Sequence, residues 1–90
     1  MSSYFIIPKA TKVKHIKVKY VIVTEDGELF VKEPVRKRTQ RISLDNVRYI
    51  IKVVNIMNRT RLYEVYDRNL NKVMTTERKE ELPVDISSVV

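Results

Sequence analysis

The 90-residue sequence predicts a small single α+β domain: an antiparallel sheet of four to five strands, built from two hairpins, with one helix near 43–57 packed across a face. Asp26-Gly27 stands between two strand-like runs, and a second pair of such runs flanks "DRNLN" (67–71). Between them "ISLDNVRYIIKVVNIMN" (42–58) places apolar residues at helical spacing.

In chain order, "YFIIP" (4–8) reads as a first strand stopped by Pro8. Residues 13–24 and 28–33 read as two strands joined by "TEDGEL". Gly27, the only glycine, supplies the positive φ that such a turn needs. Glu33-Pro34 ends the second strand, because proline donates no ladder bond and restricts its predecessor.

"VRKRTQR" (35–41) has one apolar residue in seven and reads as an exposed basic connection. In the segment that follows, Leu44, Val47, Ile50, Ile51, Val54 and Met57 share one helical face, with Asp45, Arg48, Lys52 and Asn55 on the other. Ser43 suits an N-cap, Asp45 the first turn and Asn58 a left-handed end. The same run is rich in Val, Ile and Tyr, and period 2 aligns Val47, Tyr49, Ile51 and Val53. The alternative is therefore an all-β barrel of five to six strands.

Residues 61–76 read as the second hairpin. The basic domain occupies 1–76, and 77–90 reads as an acidic tail or a short edge strand through Val84–Ile86.

Composition narrows the chemistry. Hydrophobic residues make up 43% and charged residues 32%, as in a soluble globular domain. The longest apolar runs, such as "YVIV" (20–23), are far too short for a helical membrane span. "MSSYFIIPK" does not resemble a signal peptide, so a cytoplasmic location is expected. No cysteine is present, which excludes disulfides and thiolate chemistry.

His15 is the single histidine, and no glycine-rich phosphate loop or nucleophile motif occurs. "EDGE" (25–28) lacks the spaced carboxylates of a calcium loop. A non-enzyme without metal or cofactor is expected.

Charge is the loudest signal. Eighteen Lys and Arg stand against eleven Asp and Glu, a net of +7. Residues 77–90 hold Arg78 and Lys79 against Glu77, Glu80, Glu81 and Asp85, a net of −2, which leaves +9 on the first 76 residues. Such a balance attracts polyanions.

Lys12, Lys14, Lys17 and Lys19 form one cluster, and Arg36, Lys37, Arg38 and Arg41 a second. In one regular strand Lys12 and Lys14 would lie on the face opposite Lys17 and Lys19. A bulge at His15-Ile16 would bring all four to one face, where they could follow phosphates spaced about 6–7 Å apart. Otherwise the lysines are the solvated side of a strand that discourages edge-to-edge association.

Arg59, Arg61 and Arg68 make a looser third group, with Tyr63 and Tyr66 nearby. Tyrosines three apart in a strand fall on opposite faces, so at least one should enter the core. The sequence thus points to a small basic nucleic-acid-binding protein that contacts phosphates of DNA or RNA with little sequence specificity. The alternative is a protein-interaction module that docks on an acidic partner or assembles with itself, for instance as a homodimer. Membrane association is not expected. This profile is common among small viral, phage and archaeal proteins.

Overall fold

The structure, a computed structural model, describes residues 3–11, 16–57 and 60–90. Seven strands run through them: β1 (Tyr4–Ile7), β2 (Ile16–Thr24), β3 (Leu29–Lys32), β4 (Gln40–Ser43), β5 (Val47–Ile56), β6 (Thr60–Asp67) and β7 (Lys72–Thr76). β1 and β4 form a two-stranded antiparallel ribbon. The other five form an antiparallel sheet in the order β3-β2-β5-β6-β7. Among the described residues the only helical piece is a 3₁₀ turn, Lys79–Glu81. No helix among them is long and apolar enough to cross a membrane.

This corrects the α+β expectation and the barrel alternative alike: the chain folds as two separate antiparallel sheets, without the helix at 43–57 and without closure. The cause lies in how β5 is buried. Ile50 and Ile51 are both wholly inaccessible, one on each face of the sheet. A strand covered on both sides has no polar face, so consecutive apolar residues imitate a helical stripe.

The apparent N-cap has a similar explanation. Ser43 Oγ accepts the Asp45 amide (3.2 Å), as a cap would, but the chain makes one turn only. Val47 N–H donates to the Leu44 carbonyl (3.2 Å), Asn46 adopts φ 62°, and β5 begins. The expected left-handed end at Asn58 lies outside the described residues.

The β2–β3 hairpin forms around the predicted glycine. Gly27 N–H donates to the Thr24 carbonyl (3.1 Å), and Gly27 takes φ 86°. Thr24 Oγ1 accepts the Glu28 amide (2.9 Å) and donates to the Asp26 carboxylate. "EDGE" is therefore turn chemistry. The β6–β7 loop repeats the form: Leu70 N–H donates to the Asp67 carbonyl (2.9 Å), and the third loop residue, Leu70, takes φ 63°. Asp67 Oδ1 accepts the amides of Asn69 and Asn71, both at 2.9 Å.

The five-stranded sheet is the middle of three layers. On one face Tyr20, Ile22 and Ile50 pack with Ile7, Leu44 and Val47, under the β1–β4 ribbon. On the other, Val21, Val23, Ile51, Val53, Tyr63 and Val65 pack beneath the C-terminal segment, which contributes the fully buried Ile86. Residues 84–86 thus form no edge strand; they lie over the sheet because Ile86 with Leu82, Val84, Val89 and Val90 covers apolar surface that no other element reaches.

Candidate nucleic-acid interface

β2 is longer than β3, and its first half carries the first basic cluster. The β2–β5 register runs unbroken from Ile16↔Ile56 to Val23↔Tyr49. Lys17 and Lys19 therefore share the Val21–Val23 face, about 7 Å apart at strand spacing. Lys12, Lys14 and the expected bulge at His15-Ile16 lie outside the described residues.

Cross-strand pairing brings Arg61, of the looser third group, beside the first cluster. Lys17 sits opposite Asn55, and Asn55 opposite Arg61, which sets a lysine, an amide and an arginine in one row across β2, β5 and β6. Lys17, Lys19, Asn55 and Arg61 line one cavity of about 330 Å³ beside Glu33 and the C-terminal valines. Lys19 pairs with Glu33 at 3.8 Å between exposed side chains, a contact worth little in water. Lys17 and Arg61 have no ion-pair partner among the described residues.

The second cluster is divided. Arg36, Lys37 and Arg38 occupy the exposed β3–β4 connection. Gln40 Nε2 donates to the Glu33 carbonyl (2.7 Å), and the Ala10 amide donates to the Val35 carbonyl (2.8 Å), so the connection is held at both ends. Arg36 turns to the β2 side and lines a cavity of about 530 Å³ together with Lys17 and Lys9. Arg38 and Arg41 instead line a cavity of about 440 Å³ with Lys32 and Ile6 on the ribbon's outer side. Lys37 is exposed on the connection between them.

The eight predicted residues thus do not form a single stripe. Of the six described, Lys17, Lys19 and Arg36 come together around Lys17, while Arg38 and Arg41 form a second patch. Arg61, Lys9 and Lys32 join these groups. The placement of Arg61 was available only through pairing across β5, which the helical reading of 43–57 concealed.

The tyrosines of β6 fall on opposite faces, as their spacing requires. Tyr63 is buried in the core and Tyr66 is half-buried on the opposite face. The accessible tyrosine is Tyr4, 44% exposed on the ribbon, with the Arg41 guanidinium 5.0 Å from its ring centre. An exposed ring beside an arginine offers a surface on which a base can stack.

Acidic residues fall in two places, and the nearer is Glu77 and Glu80, which line a cavity together with Asn55 and Arg61. Glu25, Asp26 and Glu28 occupy the turn at the far end of β2, about 26 Å from Lys17 at strand rise. Asp45 and Asp67 lie at the same end, since Asn46 accepts the Glu25 amide (2.8 Å) and Arg68 pairs with Glu25 at 3.5 Å. β2 thus runs from Lys17 and Lys19 at one end to the acidic turn at the other, with Arg48 near that turn and Glu77 and Glu80 near Arg61.

No protein-family model matches this chain, and no curated protein or solved structure is significantly similar to it.

Proposed function

We propose that the protein binds nucleic acid through its phosphates, without catalysis and with little sequence specificity. The supporting observation is that Lys17 lines one cavity with Arg61 and another with Arg36, each of the three without an ion-pair partner among the described residues, at the end of β2 opposite the acidic turn. Unpaired arginine forks and lysine ammonium groups exchange counterions with a phosphate backbone at little desolvation cost. Binding in the cytoplasm belongs to the same proposal.

The test is affinity for labelled duplex DNA, single-stranded DNA and RNA across a salt series, with the double variants Lys17→Glu/Arg61→Glu and Arg36→Glu/Arg38→Glu. Log affinity should fall with log salt at about −0.9 per phosphate contacted on duplex DNA, and one or both variants should flatten that slope. Absence of binding to every nucleic acid at low salt would sink the proposal.

A specific feature favours a second function, assembly with itself. Phe30 and Val31, on the edge strand β3, are 48% and 37% exposed. An open edge carrying exposed apolar side chains suits addition of a strand from another copy. Sedimentation equilibrium across protein concentrations decides this: a monomer throughout removes it.

A further inference from the structure

The 530 Å³ cavity has two kinds of lining, and the combination selects a ligand. One kind is apolar: Pro8, Ala10 and Pro34 from the connected segments, with Val18 and Tyr20 from the sheet. The Ala10–Val35 hydrogen bond joins those two segments beside β2. The other kind is cationic. Lys9, Lys17 and Arg36 have no ion-pair partner among the described residues, whereas Lys52 and Glu33 are engaged with Glu64 and Lys19.

A purely phosphate-tracking surface has no use for an apolar recess of this size. The volume falls within the range of small-molecule sites, about 300–1,000 Å³. A ligand that satisfies both linings is flat and largely apolar, and carries negative charge at one end. A nucleotide has that form.

We propose that this cleft receives one unpaired nucleotide, with its base against Pro8, Pro34 and Val18 and its phosphate on Lys9 and Arg36. The inference rests on the nucleic-acid reading above for its polynucleotide form, and the same chemistry also fits a free nucleotide. Tyr20 lines the cleft, and its phenol is protonated at physiological pH and able to donate to a base carbonyl. A duplex keeps its bases stacked and would have to flip one out, at an unfavourable free energy, before it could enter. Single strands are therefore preferred.

The experiment compares a 12-nucleotide oligothymidylate, a duplex of equal length and thymidine monophosphate. Wild type is measured beside Ala10→Trp, which fills the cleft from its rim while keeping the backbone amide. Pro8→Trp is a second filling variant at an exposed position, and the unfolding temperature of each confirms that it folds.

The expected result is a loss of about tenfold in single-strand affinity on filling, the scale of one lost base contact, with duplex affinity unchanged. The NMR resonances of Val18 and Tyr20 should shift on addition of either single-stranded ligand. Equal binding of single strand and duplex, with no effect of filling, would overturn the cleft and leave the phosphate reading standing. Shifts at Val18 and Tyr20 with the monophosphate, without binding of any polynucleotide, would keep the cleft as a free-nucleotide site and remove the phosphate reading. Silence from all three ligands would remove both.

Discussion

Ile50 and Ile51 are sequence neighbours in β5, both are wholly buried, and they point into different cores, one beneath the ribbon and one beneath the C-terminal segment. Each should therefore be needed independently. Ile50→Ala and Ile51→Ala are each expected to lower stability by about 2–5 kcal/mol, read as a lower urea midpoint with an unchanged slope. If β5 were one-sided, one of the two substitutions would be nearly silent.

The paired hairpin loops give a backbone prediction. Gly27 and Leu70 hold the same third-loop position at φ 86° and 63°, but only the glycine does so without strain. Leu70→Gly should raise stability by up to about 1 kcal/mol, and Gly27→Ala should lower it by about 1–2 kcal/mol. The space around Gly27 is open, so its loss would report φ alone. Thermal unfolding of both variants checks the pair.

Charge polarity predicts asymmetric mutants. Lys17→Glu/Arg61→Glu should weaken nucleic-acid binding by tenfold or more at low salt. Glu25→Lys/Asp26→Lys, at the opposite end, should change it less than threefold near physiological salt, where screening acts over about 8 Å. Equal and opposite effects of the two pairs would mean that net charge alone governs binding.

Alkaline pH should destabilise the fold by two routes. The Tyr20 pKa lies above its ordinary value of 10.0 because burial, and then the nearby Tyr66 and Glu64, disfavour the phenolate. The Lys72 pKa lies above 10.5 because its ammonium donates to Glu64 (3.0 Å) and is attracted to that charge. A group with a raised folded pKa contributes fully below its unfolded pKa, and that contribution is lost as pH rises through the folded value. Unfolding temperature should hold to about pH 10 and then fall, and Tyr20→Phe should reduce the fall.

At the acid end Asp85 has the opposite sign. The Ser87 backbone amide (2.9 Å), then the Ser87 side chain, hold its carboxyl below its ordinary value of 3.8. Its contribution is present above about pH 3.8 and lost as pH falls through the lowered folded value. Asp85→Asn should therefore loosen the segment around Ile86 at neutral pH, seen as faster amide exchange there.

Legibility in the sequence followed local chemistry. Asp26-Gly27 was readable because a positive φ leaves few residue choices, and the 61–76 hairpin because polar turn residues separate two β-rich runs. Residues 43–57 were misread because two-sided burial removes alternation, and because the Ser43 hydroxyl serves a one-turn reversal as well as it serves a cap. The parity of Lys17 and Lys19 was readable within one strand. Their neighbour Arg61 was not, since a lysine and an arginine 44 residues apart meet only once the β2–β5 and β5–β6 registers are known.

The strand order has a kinetic side. β2–β3 and β5–β6–β7 are local units that zip from their own turns, on the microsecond scale of isolated hairpins. The β2–β5 seam instead joins residues as far apart as Ile16 and Ile56 and must await closure of the whole intervening chain. Folding should therefore be limited by that seam, with conservative truncations such as Ile51→Val and destabilising changes in the preformed β6–β7 loop both slowing refolding. The two halves would meet as preformed pieces, and the last step of folding would bring Lys17 into line with Arg61.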